Sequence, residues 1–86
     1  MPDLTTQLRA LISDHLGIAP DKITDDAAFY ADLGCDDLDK LELTMLVEEH
    51  FNLEISDDES NRTIGEFGTF AALCEMVAEK VGERVL

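Results

Sequence analysis

Leu4, Leu8, Leu11, Ile12 and Leu16 recur at spacings of three and four. That period restricts the fold more than any other feature of the chain, because it lines apolar side chains along one face of a helix and does not suit a strand, whose faces alternate at every residue. Asp3 precedes the run as an N-cap, and Gly17 follows it where a left-handed C-terminal residue belongs. From Ile18 to Gly34 the period fails: Pro20 is followed by acidic and small residues, with Ile23, Phe29, Tyr30 and Leu33 irregularly placed. A long loop pinned to the core by those four side chains is expected, with room for a short helical turn.

The helical period returns from Asp36 to Phe51. Asp36 is suited to cap this second helix, and Asp37 and Asp39 put negative charge in its first turn, where the macrodipole favours it. Its apolar residues exceed one stripe. Leu43, Val47 and Phe51 form one row, and Leu38, Leu41 and Met45 form another bordered by Glu42, Glu48 and Glu49, so one row is expected inside and the other partly in water. Ser56–Glu59 and Thr63–Glu66 both have capping-box spacing, which predicts a very short third helix and then a fourth. The fourth places Ile64, Phe67, Phe70, Ala71, Cys74, Val77, Ala78 and Val81 on one side and ends near Gly82; Gly65 and Gly68 weaken its first turns by about 1 kcal/mol each relative to Ala.

The expected fold is therefore all-α: a four-helix bundle of three long helices and one short one, with a long loop between helices one and two and no strand. The expected core is Leu8, Leu11, Ile12, Phe29, Leu33, Leu43, Val47, Phe51, Ile55, Phe67, Ala71 and Cys74. With 86 residues of even composition, neither repeats nor a linker, the chain reads as a single domain over residues 1–86. Apolar residues make up 45% of it, enough for a packed core.

Twenty Asp and Glu against six Lys and Arg give a formal charge of −14. Such a surface repels phosphate backbones and anionic lipid, so nucleic-acid binding is disfavoured and a macromolecular partner is expected to be basic. Cys35 and Cys74 form no disulfide framework, and with His15 and His50 they give no short metal-ligand spacing. No run approaches the length of a membrane span, and no basic segment leads into an apolar one at the start. A cytoplasmic protein with reduced thiols, no membrane insertion and no metal is expected.

Catalytic constellations fare poorly. The acids from Asp57 onward have EF-hand-like spacing, but Arg62 stands where the turn requires Gly and Gly68 where a bidentate Glu belongs. The paired carboxylates lie on helical surfaces with no apolar pocket to raise a pKa. Ser13 and His15, two apart in a helix, point in different directions. His15 and His50 read as surface or boundary residues. Cys35 precedes a helix N-terminus, which favours a thiolate, but the neighbouring carboxylates oppose it. No catalytic residue and no enzymatic activity are expected.

The stretch DLGCDDLDKLELTMLVEEHF, Asp32 to Phe51, closely resembles the acyl carrier proteins, whose usual pattern here is DLGADSLDxVELxMxxEExF. Upstream, helix one and LGI at Leu16 to Ile18 fit the same likeness; downstream, EISDDE and TIGEF resemble the family's third helix and the opening of its fourth. About residues 3 to 80 are covered. The resemblance implies a four-helix carrier that shuttles acyl groups on a phosphopantetheine arm in fatty-acid, polyketide or related lipid biosynthesis. It also implies that an acidic helix two docks onto basic patches of acyl-transfer or synthase enzymes and of a phosphopantetheinyl transferase.

The family attaches 4'-phosphopantetheine to the Ser of its DSL triplet, and the matching position here is Asp37. A serine hydroxyl attacking phosphorus gives a stable phosphodiester, whereas a carboxylate gives at best a labile mixed anhydride. No prosthetic arm is therefore expected on this chain. Ser13, Thr44, Ser56 and Ser60 all lie away from the site, and the thiol of Cys35 is not the family's attachment group. Three readings of Asp37 stay open: an engineered exchange that keeps the apo form homogeneous, a natural paralogue that lost carriage but kept docking, or a good first-turn residue without further meaning.

The expected recognition surface is Asp36, Leu38, Leu41, Glu42, Met45, Glu48 and Glu49. Its acids steer encounter with a basic enzyme, and its Leu and Met side chains supply apolar contact. A monomer is expected. The alternative function is a non-carrying interaction or regulatory module that occupies carrier-binding sites on enzymes, with Asp37 as a decoy charge; an acidic mimic of nucleic acid is a more distant third.

Overall fold

The computed structural model of the protein describes the backbone of residues 3–85 and the side chains of residues 3–82. Four α-helices follow one another: α1 (Leu4–Leu16), α2 (Asp37–Phe51), α3 (Asp57–Thr63) and α4 (Phe70–Val85). A 3-10 turn at Pro20–Lys22 occupies the loop between α1 and α2. No strand forms among the described residues beyond one isolated bridge between Ala28 and Thr69. The all-helical bundle expected from the apolar period is the fold observed.

Each start and stop follows from local chemistry. Asp3 accepts from Thr6 N at the head of α1, and Gly17 ends that helix at φ 69°, where its N–H donates to Ser13 O. Asp36 caps α2 through a reciprocal box with Asp39, and Ser56 caps α3 through the same arrangement with Glu59. Asn52 closes α2 in the left-handed region at φ 53°, a conformation open to Asn because its short amide tolerates it.

The fourth helix departs from expectation. It begins at Phe70 and not near Thr63, which instead ends α3. The box spacing at Thr63–Glu66 fails because the backbone folds back on itself there: a Cβ on Gly65 would collide with the Asn61 carbonyl, and one on Gly68 with the Thr63 carbonyl. The two glycines make a tight turn that a helix cannot follow. Gly82 does not end α4 either; it lies inside the helix and lacks the positive φ that terminates α1 at Gly17.

The α1–α2 loop completes α4. Phe70 N donates to Ala27 O at 3.0 Å and Ala71 N to Asp25 O at 2.8 Å, while Ala72 N bonds Thr69 Oγ1 at 3.2 Å. The first amides of the helix, which have no partner within it, are thus satisfied by loop carbonyls and one hydroxyl. Arg9 of α1 fastens the same junction: Nε donates to Ile23 O at 2.9 Å, Nη2 lies 3.2 Å from Asp25 Oδ1, and the guanidinium sits 4.9 Å above the Phe70 ring centroid.

The core contains Leu8, Ile12, Phe29, Leu43, Val47 and Ile55 as expected. Leu11, Leu33, Phe51 and Cys74 pack against it half-buried, as does Ile18, and Ala71 is also half-buried. Phe67 is the clear correction: it is 90% exposed. With α4 starting at Phe70, the buried row becomes Phe70, Leu73, Met76 and Val77, and Ala78 turns outward. Ile23 and Ala27 from the loop and Ile64 from the end of α3 fill the remaining interior. α1 packs on α2 and α4, and α3 packs on α4.

Candidate functional site

The segment leading into α2 is tightly organised. Ala28 N donates to Asp32 Oδ2 at 2.8 Å, Cys35 N donates to Phe29 O at 2.9 Å, and Gly34 turns the chain at φ 71°. Cys35 is thereby buried and Asp36 delivered to the cap. Burial, and then the charges of Asp39 and Asp36, push the Cys35 thiol up to about 11. A thiol so placed is a structural filler rather than a nucleophile.

Asp37 is the first residue of α2 and is exposed. The Tyr30 hydroxyl donates to its Oδ1 at 2.6 Å. That bond, followed by burial and the nearby negative charges, raises the tyrosine phenol to about 12. Tyr30 was legible in the sequence only as a loop anchor; its bond to position 37 required the fold.

Leu38, Glu42, Met45 and Glu49 follow one another at spacings of four, three and four and form a single stripe along α2, with Leu41 and Glu48 beside it. Leu38, Leu41 and Met45 are 62%, 55% and 51% exposed, whereas Leu43 and Val47 on the opposite side are fully buried. Three of the expected surface acids, Asp36, Glu42 and Glu48, also have internal duties. Glu48 is half-buried and accepts from Ile55 N at 2.9 Å, holding the α2–α3 connection. Glu42 lies 3.5 Å from His15 Nε2, and Asp39 lies 3.9 Å from the same nitrogen. Asp36 is committed to the cap.

Between α2 and α3, Lys40 Nζ donates to Asn61 Oδ1 and the Thr44 and Ser60 hydroxyls meet at 2.7 Å in the interior. Two open grooves flank this seam. One, of about 310 Å³, runs past Tyr30, Asp37, Glu66 and Phe67; the other, of about 340 Å³, runs past Leu41, Thr44 and Asp57. Lys40 and Asn61 border both. Phe67 and Asn61 were not singled out for this surface from the sequence; the pair Gly65 and Gly68 bracketing Phe67 is the signal that marks it.

No described helix is long and apolar enough to cross a membrane. The arrangement offers an acidic helix face with apolar relief, preceded by a rigid turn that fixes one residue at the helix start. Comparison with known protein families matches residues 6–77 to the phosphopantetheine attachment site family, PP-binding. The match runs from the first turn of α1 into α4 and takes in the whole site, and the chain belongs to that family.

Proposed function

We propose that this protein is a carrier-type docking scaffold that presents α2 to basic partner enzymes of acyl transfer and stays without a prosthetic arm. The observation that carries the reading is the outward row Leu38, Leu41 and Met45 set among Glu42, Glu48 and Glu49. Family membership supports the carrier scaffold in general. Partner docking draws support from the acidic surplus, since a surface of one sign steers a basic surface toward it.

The residues at position 37 do not fit the family's group. Asp37 has no hydroxyl to form the phosphodiester, and one of its carboxylate oxygens is engaged by Tyr30. The scaffold performs no bond-making chemistry of its own in this reading. A carboxylate held in place at the family's attachment position also favours the related reading of a regulatory module that occupies carrier-binding sites on cytoplasmic enzymes.

Intact mass after incubation with coenzyme A and a phosphopantetheinyl transferase tests the proposal. The unsubstituted chain is expected to stay unmodified, and Asp37→Ser to gain the arm on residue 37. A stable adduct on the unsubstituted chain overturns the unloaded state. Docking is read separately as transferase affinity at low salt, and Glu49→Lys is the reversal of choice because Glu48 also holds Ile55 N.

A further inference from the structure

Phe67 is the most exposed large apolar side chain described, at 90%, and it stands on a turn with little freedom. Gly68 N donates back to Gly65 O at 2.9 Å, and Phe29 N donates to Gly68 O at 3.4 Å. On either side, Ile64 and Phe70 are completely buried and anchor the turn in the core. The ring is therefore presented to water by a pre-formed support and does not belong to a frayed helix end. An aromatic side chain held this way loses little conformational freedom on meeting a partner.

The groove beside Phe67 has a charge character of its own. Asp37 and Glu66 contribute two carboxylates to its lining, and Lys40, whose ammonium bonds Asn61, contributes one cation. A carboxylate offers roughly four lone-pair sites, of which the Tyr30 hydroxyl takes one at Asp37. Across the seam of Lys40 and Asn61 lies the second groove, bordered by Leu41, so the Phe67 turn and an apolar residue of α2 each border a groove on either side of one Lys40–Asn61 bridge.

We propose that the Phe67 turn and this groove form a second docking element, which receives an arginine- or lysine-bearing surface of a protein partner. The aromatic ring meets its apolar stem or planar guanidinium, and Asp37 and Glu66 meet its charge. Charge complementarity selects this occupant: a second copy carrying −14 repels the first, and an anionic bilayer is repelled likewise. The inference rests on the docking-scaffold reading and gives Asp37 a positive role within it, as an acceptor at the partner interface.

The test titrates the full chain with a phosphopantetheinyl transferase at low salt by calorimetry, with amide shifts of the labelled chain recorded in parallel. Phe67→Ala is expected to weaken affinity at least tenfold, Phe67→Trp to retain it, and both to keep the melting temperature of the unsubstituted chain. Shifts are expected at Gly65, Glu66 and Gly68 as well as along α2. If Glu49→Lys weakens binding while Phe67→Ala binds as the unsubstituted chain does, the second element is refuted and the α2 reading stands. Absence of binding by the unsubstituted chain overturns both. Sedimentation showing a dimer that Phe67→Ala dissolves overturns the choice of occupant.

Discussion

The Tyr30 hydroxyl reaches Asp37 Oδ1 at 2.6 Å, tying the middle of the long loop to the first residue of α2. This is the sole tyrosine of a chain without tryptophan, so its ionisation can be followed alone by ultraviolet absorbance. A midpoint at about 12 is expected in the folded protein. In Asp37→Asn the midpoint should return toward the ordinary value of roughly 10. Because the folded phenol holds its proton more tightly than the unfolded one, this bond's contribution to stability is complete below about pH 10 and is lost as pH rises toward 12. An unmoved midpoint in Asp37→Asn would contradict the bond.

Cys35 should resist modification in the native state. Its burial, together with the charges of Asp39 and Asp36, leaves almost no thiolate at pH 8. Mass analysis after a brief alkylation at that pH is expected to leave position 35 unlabelled, with full labelling in urea. Rapid native labelling of Cys35 would show that the turn around Gly34 opens readily.

The hydroxyls of Thr44 and Ser60 meet at 2.7 Å in the interior and join α2 to α3. Thr44→Val leaves the Ser60 oxygen without that partner and is expected to cost about 1–3 kcal/mol. Combining it with Ser60→Ala should cost less than the sum of the single changes, since no half of the pair is then left behind. Urea denaturation of the four proteins measures the cycle, and strict additivity would argue against a shared bond.

Acid should loosen α3. Glu59 accepts from Ser56 N and pairs with Lys80 at 2.9 Å, and these contacts, the backbone bond first, hold its carboxyl below the usual range. Its stabilising effect is present above the unfolded value of roughly 4.3 and disappears as pH falls through the lower folded value. Amide exchange or chemical shifts at Ser56 and Glu59, followed downward in pH, should report the loss, and Glu59→Gln should show a smaller acid dependence.

With a formal charge of −14, the compact chain repels itself. Raising NaCl from about 0.02 M to about 0.5 M shortens the screening length from roughly 20 Å to roughly 4 Å, and the melting temperature should rise accordingly. Glu49→Lys should reduce that rise. A melting temperature indifferent to salt would mean that the carboxylates are effectively neutralised already.

The sequence revealed most where one residue type settles one local problem. Asp3, Gly17, Asp36 and Ser56 each act at the helix end where their chemistry suggested. The two apolar rows of α2 also separated as their spacing implied, Leu43 and Val47 inward and Leu38, Leu41 and Met45 outward. The start of α4 was obscured because Thr63–Glu66 has the spacing of a cap, while the real signal is Thr69 working with carbonyls of Asp25 and Ala27, far away in sequence. Starting the helix at Phe70 turned the buried row from Ala71 and Cys74 toward Leu73 and Met76 and left Phe67 outside it. At the site, the motif located position 37, but the Tyr30 bond and the groove beside Phe67 depend on contacts between segments that no local pattern encodes.

The carbonyls of Asp25 and Ala27 complete the first turn of α4. The long connection is thus a structural member and not a tether. A protease nick, insertion or deletion between Thr24 and Ala28 would act as a lesion in a distant helix, unseating Arg9 and Phe70 together. Of the surface segments of this molecule, that stretch should be among the least forgiving of grafts, tags or circular permutation.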